Sequence, residues 1–380
     1  MSLDCMDQQL HDKTVDLEPK AGKKLKPGKK PKKRGTFTFQ YQYLPFGTLS
    51  SLLLDQYAHI LEVVVTKTPH DGVAQALIGI FQSDLPRLFA MMKTALTYEI
   101  GQTPSSEQLF RTDSMTTKLM KASSKLLGSL WLYDALQSPI QAICTANASI
   151  EVDPSKLEPG AANLEQNMAA LSASCKDILG AVLGSFNKVP APIQELIRLI
   201  AAVVSTKFPE SKIQAISGYV FLRFFGPGIS APEAFGIGVE PQPNAKRTLI
   251  LVAKIIQTIA NGATIREDFL KPLVPWIEEQ QAVVNSQLLE LADGPNAPQP
   301  LPIPTQSSQS LLAHYATLVD WVSNNHPVLE RHGVSSTEYD ALKTNLAPYA
   351  RSLAVLIKED SASSSNKNFL TGLTRAKSKK

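Results

Sequence analysis

Three segments of this 380-residue chain place a cation where its neighbours give it something to do. In SSEQLFRTDSMTTKLMK, residues 105–121, Arg111 follows Leu109 and Phe110 just inside a helical pattern, with Ser105 and Ser106 as N-cap candidates. Taken alone, such an arginine is a surface cation. In SGYVFLRFFGPGISAPEAF, residues 217–235, Arg223 continues the apolar stripe of Ile213, Ile216 and Val220, among Phe221, Leu222, Phe224 and Phe225. A guanidinium on a buried stripe is costly unless its five donors find acceptors. It forms either an internal ion pair or a brace that bonds the backbone carbonyls of a functional loop. In NAKRTLILVAKIIQTIAN, residues 244–261, Leu249, Val252, Ala253, Ile256 and Ala260 make a core face. Lys254, Gln257 and Asn261 then share one polar stripe, which is either a solvated face or a ladder of donors turned toward a partner.

Familiar catalytic sets are missing from the sequence. Histidines at 11, 59, 70, 314, 326 and 332 are scattered, and none makes an HExxH or paired-ligand spacing, so no metal site is expected. There is no GxSxG, Walker A or GxGxxG, and GPG at 226–228 reads as a helix terminator. Cys144 and Cys175 read as core or surface thiols. With Cys5 they are odd in number and far apart, which points to a reducing interior.

The elements that must position these residues are helical. With 43% hydrophobic and 19% charged residues, the chain can bury a sizeable core. No apolar run approaches the ~20 residues that cross a bilayer, and MSLDCMDQQL is not a signal peptide, so a cytoplasmic protein is expected. The 3.6-residue period predicts helices near 48–66, 71–81, 84–100, 105–127, 129–146, 162–185, 190–207, 211–225, 245–261, 264–282, 308–325 and 336–358. Alternating Phe37, Phe39, Tyr41 and Tyr43 predict one isolated strand-like segment over 36–46. The body spans 47–292, a Pro-rich linker 293–309, and further helices 310–358.

Charge is uneven. Residues 1–34 hold ten basic and five acidic residues, and 367–380 hold five basic and no acidic ones, which against a total of +4 leaves the intervening body at −6. The ends, 1–35 and 359–380, read as basic disordered tails. The run holding Lys23, Lys24, Lys29, Lys30, Lys32, Lys33 and Arg34 is a solvated arm or a patch for anionic lipid headgroups. Nucleic acid or a nuclear-import receptor is a further option, though the missing aromatic interleaving speaks against nucleic acid.

Taken together, LFR with its Ser/Thr-rich continuation at 109–117, VDPSKLE at 152–158, FLRFFGPGISAP at 221–232 and RTLILVAKIIQTIAN at 247–261 resemble the catalytic domain of Ras GTPase-activating proteins. Order and spacing agree over about residues 50–290. The resemblance implies an all-α fold, with a central catalytic module and a supporting module built from flanking segments, to which the helices after 308 would belong. It implies that Arg111 is an arginine finger entering the active site of a GTP-loaded Ras-family GTPase, that Arg223 holds the finger loop, and that Leu222, Lys254, Gln257, Asn261 and, after a short gap, Arg266 contact the GTPase. GTP and Mg²⁺ would be carried by the partner, and the chain would need no cofactor of its own. The basic ends would then bring it to the inner face of the plasma membrane. A non-catalytic GTPase-binding scaffold would use the same groove. Gly228 replaces the family's usual alanine, Ser230 an aliphatic residue, and Gly72 a basic one. The first two changes are expected to loosen the turn after FLR.

Overall fold

The structure is a computed structural model that describes residues 11–16, 36–41, 52–157, 164–238 and 240–346. The body is all-helical. Helices α1 (Ala58–Lys67), α2 (Asp71–Phe81) and α3 (Leu85–Gln102) are followed by α4 (Met115–Leu127), α5 (Ser129–Ala146), α6 (Leu164–Gly184) and α7 (Ala191–Ser205). Next come α8 (Lys212–Ser217), α9 (Gly226–Ser230), α10 (Pro243–Ala260) and α11 (Val274–Asp293). Helices α12 (Ser308–Asn324), α13 (His326–Arg331) and α14 (336–346) close the described chain. Local chemistry sets several starts. The His70 ring accepts from the Val73 amide at 3.2 Å to open α2, and Asp84 caps α3 while pairing with Arg87 at 2.7 Å.

Several sequence expectations are corrected. The strand at Thr36–Tyr41 is not isolated: it pairs antiparallel with His11–Asp16, inside the stretch read as an unstructured tail. Lys13, Thr14 and Val15 alternate weakly, and pairing with a partner strand completes what neither segment forms alone. The basic run from Lys23 to Arg34, the segment 42–51 and residues 347–380 lie outside the described residues. GPG at 226–228 does not end a helix. Residues Gly218–Phe225 continue α8 with wider, π-type turns and pass directly into α9. The Gly226 amide bonds the Phe221 carbonyl, five residues back, and Pro227 falls in the first turn of α9, where its lack of an N–H costs nothing.

The segment after Asp293 is not a free linker. Gln299 and Leu301 amides donate to the Asn187 and Lys188 carbonyls at 3.2 and 3.0 Å. Gln194 donates to the Leu291 and Pro295 carbonyls, and Leu301 and Ile303 pack on the core. It is a strap that returns α12 to the N-terminal side of the body, where α12 packs on α2 and α13 on α1. Leu164–Lys188 is long and apolar enough to cross a bilayer by length and composition, a feature the sequence reading missed. In the fold it packs instead on α5 and α10 through Leu171, Cys175, Ile178 and Val182, with Lys176 and Asp177 exposed mid-helix.

An aromatic cluster fixes the FLR segment. Trp131 of α5 stacks on Phe224 and meets Phe225 edge-on, both at 4.9 Å between centroids, and its indole N–H donates to the Ser185 carbonyl at 2.9 Å. Gly128, between α4 and α5, makes room for this. A Cβ there would lie 2.4 Å from Phe224 Cε2. That ring is pinned by Trp131 and cannot swing clear. Gly128→Ala is therefore expected to destabilise the fold by about 1–3 kcal/mol through overpacking, read as a lower denaturant midpoint; unchanged stability would show that Phe224 has room to move.

Candidate functional site

Arg111 does not sit in a helix, as the period over 105–127 suggested. It stands in the loop between α3 and α4, and the N-cap of α4 is Ser114, not Ser105 or Ser106. Ser114 and Thr117 form a reciprocal capping box, and the helix starts at Met115, after the Arg111 loop. The Arg111 side chain is exposed, and among the described residues no hydrogen bond or ion pair engages its guanidinium.

The residue before it is under constraint. Phe110 is a buried aromatic in the left-handed region, φ 55°. A bulky side chain holds that conformation only where the surroundings impose it. Arg223 does so by donating its Nη2 to the Phe110 carbonyl. This decides between the two readings of Arg223: its bonded partner is a backbone carbonyl, and Asp113 and Glu99 act on it only through space. Burial pulls the guanidinium below its ordinary pKa, and those two acids partly restore it.

The loop has further anchors that the sequence reading did not name. Glu99, buried in the last turn of α3, accepts the Thr112 hydroxyl at 2.7 Å. Lys118 reaches Asp113 at 2.7 Å and Asp71 at 3.2 Å. Its hydrogen bond holds the Asp113 carboxyl below the usual range. Lys207 Nζ donates to the carbonyls of Ile100, Gly101 and Thr103 at 3.1, 2.9 and 2.7 Å, closing the end of α3 where the loop begins.

The stripe on α10 is laid out as expected. Lys254 and Asn261 are exposed and Gln257 is half-buried, while the core face is buried. Lys254 Nζ bonds Glu267, whose carboxyl is thereby held low; Arg266 beside it is exposed. Leu222 is half-buried. Gly226 lets the two helices meet, since a Cβ there would stand 2.5 Å from the Phe221 carbonyl and 2.6 Å from Gln257 Nε2. The opposite end of α10 is tied down by Arg247, whose Nε and Nη2 grip Glu151 at 2.7 and 3.0 Å. Glu151 also accepts the Val152 and Asp153 amides, so the 152–157 loop and α10 are one unit.

Gly228 is buried, and the place of a Cβ is met by the Leu132 and Leu136 methyls at 3.0–3.2 Å. Ser230 contacts the Pro227 carbonyl only weakly, at 3.4 Å. Gly72 lies in the first turn of α2 beside Asp71, with which Lys118 pairs at 3.2 Å.

The apolar groove formed by Pro139, Ile143, Ile150 and Ile178 contains none of these residues. An exposed arginine on a braced loop and an exposed polar helix face suit a macromolecular surface rather than an enclosed small molecule. Residues 158–261 match the family model described as GTPase-activator protein for Ras-like GTPase. The chain is 30% identical over 259 residues to the Probable Ras GTPase-activating-like protein ngap of Dictyostelium discoideum, covering 65% of this chain and 29% of that protein. It is 28% identical over 204 residues to Ras GTPase-activating protein 3 of Rattus norvegicus, covering 51% and 24%, and 30% identical over 219 residues to Ras GTPase-activating protein 4 of Mus musculus, covering 51% and 27%. The chain thus spans less than a third of the length of each of these relatives. Through residues 158–261 of its helical body, the chain matches the Ras GTPase-activator family.

Proposed function

We propose that this chain docks on a GTP-loaded Ras-family GTPase and stimulates its GTP hydrolysis by inserting Arg111 into the partner's active site, so switching the GTPase off. The observation that carries this reading is the exposed Arg111 beside a Phe110 carbonyl held by Arg223. In phosphoryl transfer, charge builds on the transferring group and the leaving oxygen. A planar, permanently charged donor set brought in from outside stabilises that charge more than the ground state. Leu222, Lys254, Gln257, Asn261 and Arg266 would supply the contact face. GTP and Mg²⁺ reside on the partner, so the chain contributes a side chain in trans and turns over no substrate of its own.

Pull-down with GTP- and GDP-loaded members of a Ras-family panel tests the docking step. Preference for the GTP form supports it, and equal or no capture of every member contradicts it. Capture without faster hydrolysis would favour the scaffold reading.

We propose further that the basic ends recruit the chain to the anionic inner leaflet. Each basic residue near such a surface contributes about 1 kcal/mol. Co-sedimentation with vesicles containing phosphatidylserine should be strong at low salt and lost on raising salt or deleting residues 1–34. Binding that ignores both changes would rule out this role for the N-terminal end.

A further inference from the structure

We infer that Glu99 is a positioning residue for Arg111, acting through the Thr112 hydroxyl as a clamp on the finger loop opposite Arg223. This rests on the activator reading of Arg111. The residues on either side of Arg111 are each tied to a charged group from a different helix. On one side the Phe110 carbonyl accepts from Arg223, and on the other the Thr112 hydroxyl donates to Glu99 at 2.7 Å. Glu99 is only 8% exposed, whereas Thr112 lies in the exposed part of the loop. A carboxylate held this deep is expensive to bury, and Glu99 sits close enough to Arg223 to support its charge. The end of α3 that carries Glu99 is itself immobilised by Lys207 on the Ile100, Gly101 and Thr103 carbonyls. A fixed acid on one flank and a fixed cation on the other leave the arginine between them little freedom to swing. A bond through the side chain of residue 112 restrains the loop just after the finger, where the Arg223 bond to residue 110 does not reach.

The test compares wild type, Thr112→Val, Glu99→Ala and Glu99→Gln by two independent readouts. Thr112→Val removes the hydroxyl with almost no change of volume at an exposed position, so the fold should survive. The first readout is single-turnover GTP hydrolysis at saturating activator. Thr112→Val and Glu99→Ala should each slow it about 10- to 100-fold, the scale expected when a catalytic group is misplaced by about 1 Å, with little change in the concentration giving half the effect. Glu99→Gln, which keeps an acceptor for Thr112, should recover much of the loss. The double variant should be no slower than Glu99→Ala alone. The second readout needs no GTPase: trypsin cleavage after Arg111 in the folded protein should speed up in Thr112→Val and Glu99→Ala, and less in Glu99→Gln. If Thr112→Val cleaves and stimulates like wild type, the clamp is refuted. If wild type stimulates no GTPase, the activator reading fails, and the cleavage rates still decide whether Glu99 holds the loop.

Discussion

Arg111→Ala should slow stimulated GTP hydrolysis by about 10³-fold or more while leaving affinity for the GTP-bound GTPase within a few-fold of wild type. Arginines supplied in trans to this reaction are worth about 10³–10⁵-fold, a magnitude measured for such residues and not one deduced from this geometry. A 10³-fold loss is about 4 kcal/mol of transition-state stabilisation. The separation of rate from binding follows from the structure. The guanidinium is exposed and makes no hydrogen bond or ion pair with the described residues, so its removal opens no cavity and orphans no buried group. The contact surface proposed on α10 is untouched by the change. Single-turnover rates at saturating activator, with binding measured separately, check both halves. Equal losses in rate and affinity would mean that Arg111 contributes ordinary contact energy.

The second large effect is expected at Arg223. Arg223→Met keeps an unbranched stem but removes the donor to the Phe110 carbonyl. Phe110 then has no bond from α8 holding its left-handed conformation, and the loop should relax. We expect stimulation to fall about 10²-fold. Stability should change by only about 1–3 kcal/mol, the cost of leaving one carbonyl without its donor. Arg223→Lys offers one ammonium in place of the fork and should recover part of the rate. Denaturant unfolding alongside the kinetics separates positioning from collapse. A variant that loses its fold in parallel with its rate would reduce Arg223 to a structural residue.

Much of this could be read from residue types because helical periodicity is a strong signal. The helices at Asp71–Phe81 and Ser129–Ala146 coincide with the expected spans. Arg223 stood out because a cation on an apolar stripe demands an acceptor. The same test applied to α3 would have found Glu99. It follows Met92, Ala95 and Leu96 at spacings of seven, four and three, all of them buried. The loop that carries Arg111 is not the helix its residue types suggest. SSEQLF carries good helix formers and two cap candidates, and only the capping pair Ser114 and Thr117 reveals the later start. Lys207 left no trace, because its role exists only where the end of α3 meets the end of α7. The strand partner at His11–Asp16 was hidden for a similar reason: pairing across a long sequence gap has no local signature. The strap after Asp293 was misjudged because proline marks the end of helices but says nothing about packing. Its bonds to Asn187 and Lys188 are tertiary.

The most direct test of the central claim is single-turnover GTP hydrolysis by a panel of Ras-family GTPases, with wild-type chain and Arg111→Ala side by side. At least one GTPase should be strongly stimulated by wild type, and Arg111→Ala should abolish this stimulation while still binding the GTP form. Stimulation that persists in Arg111→Ala, or capture of a GTP-bound GTPase with no stimulation by wild type, would contradict that claim.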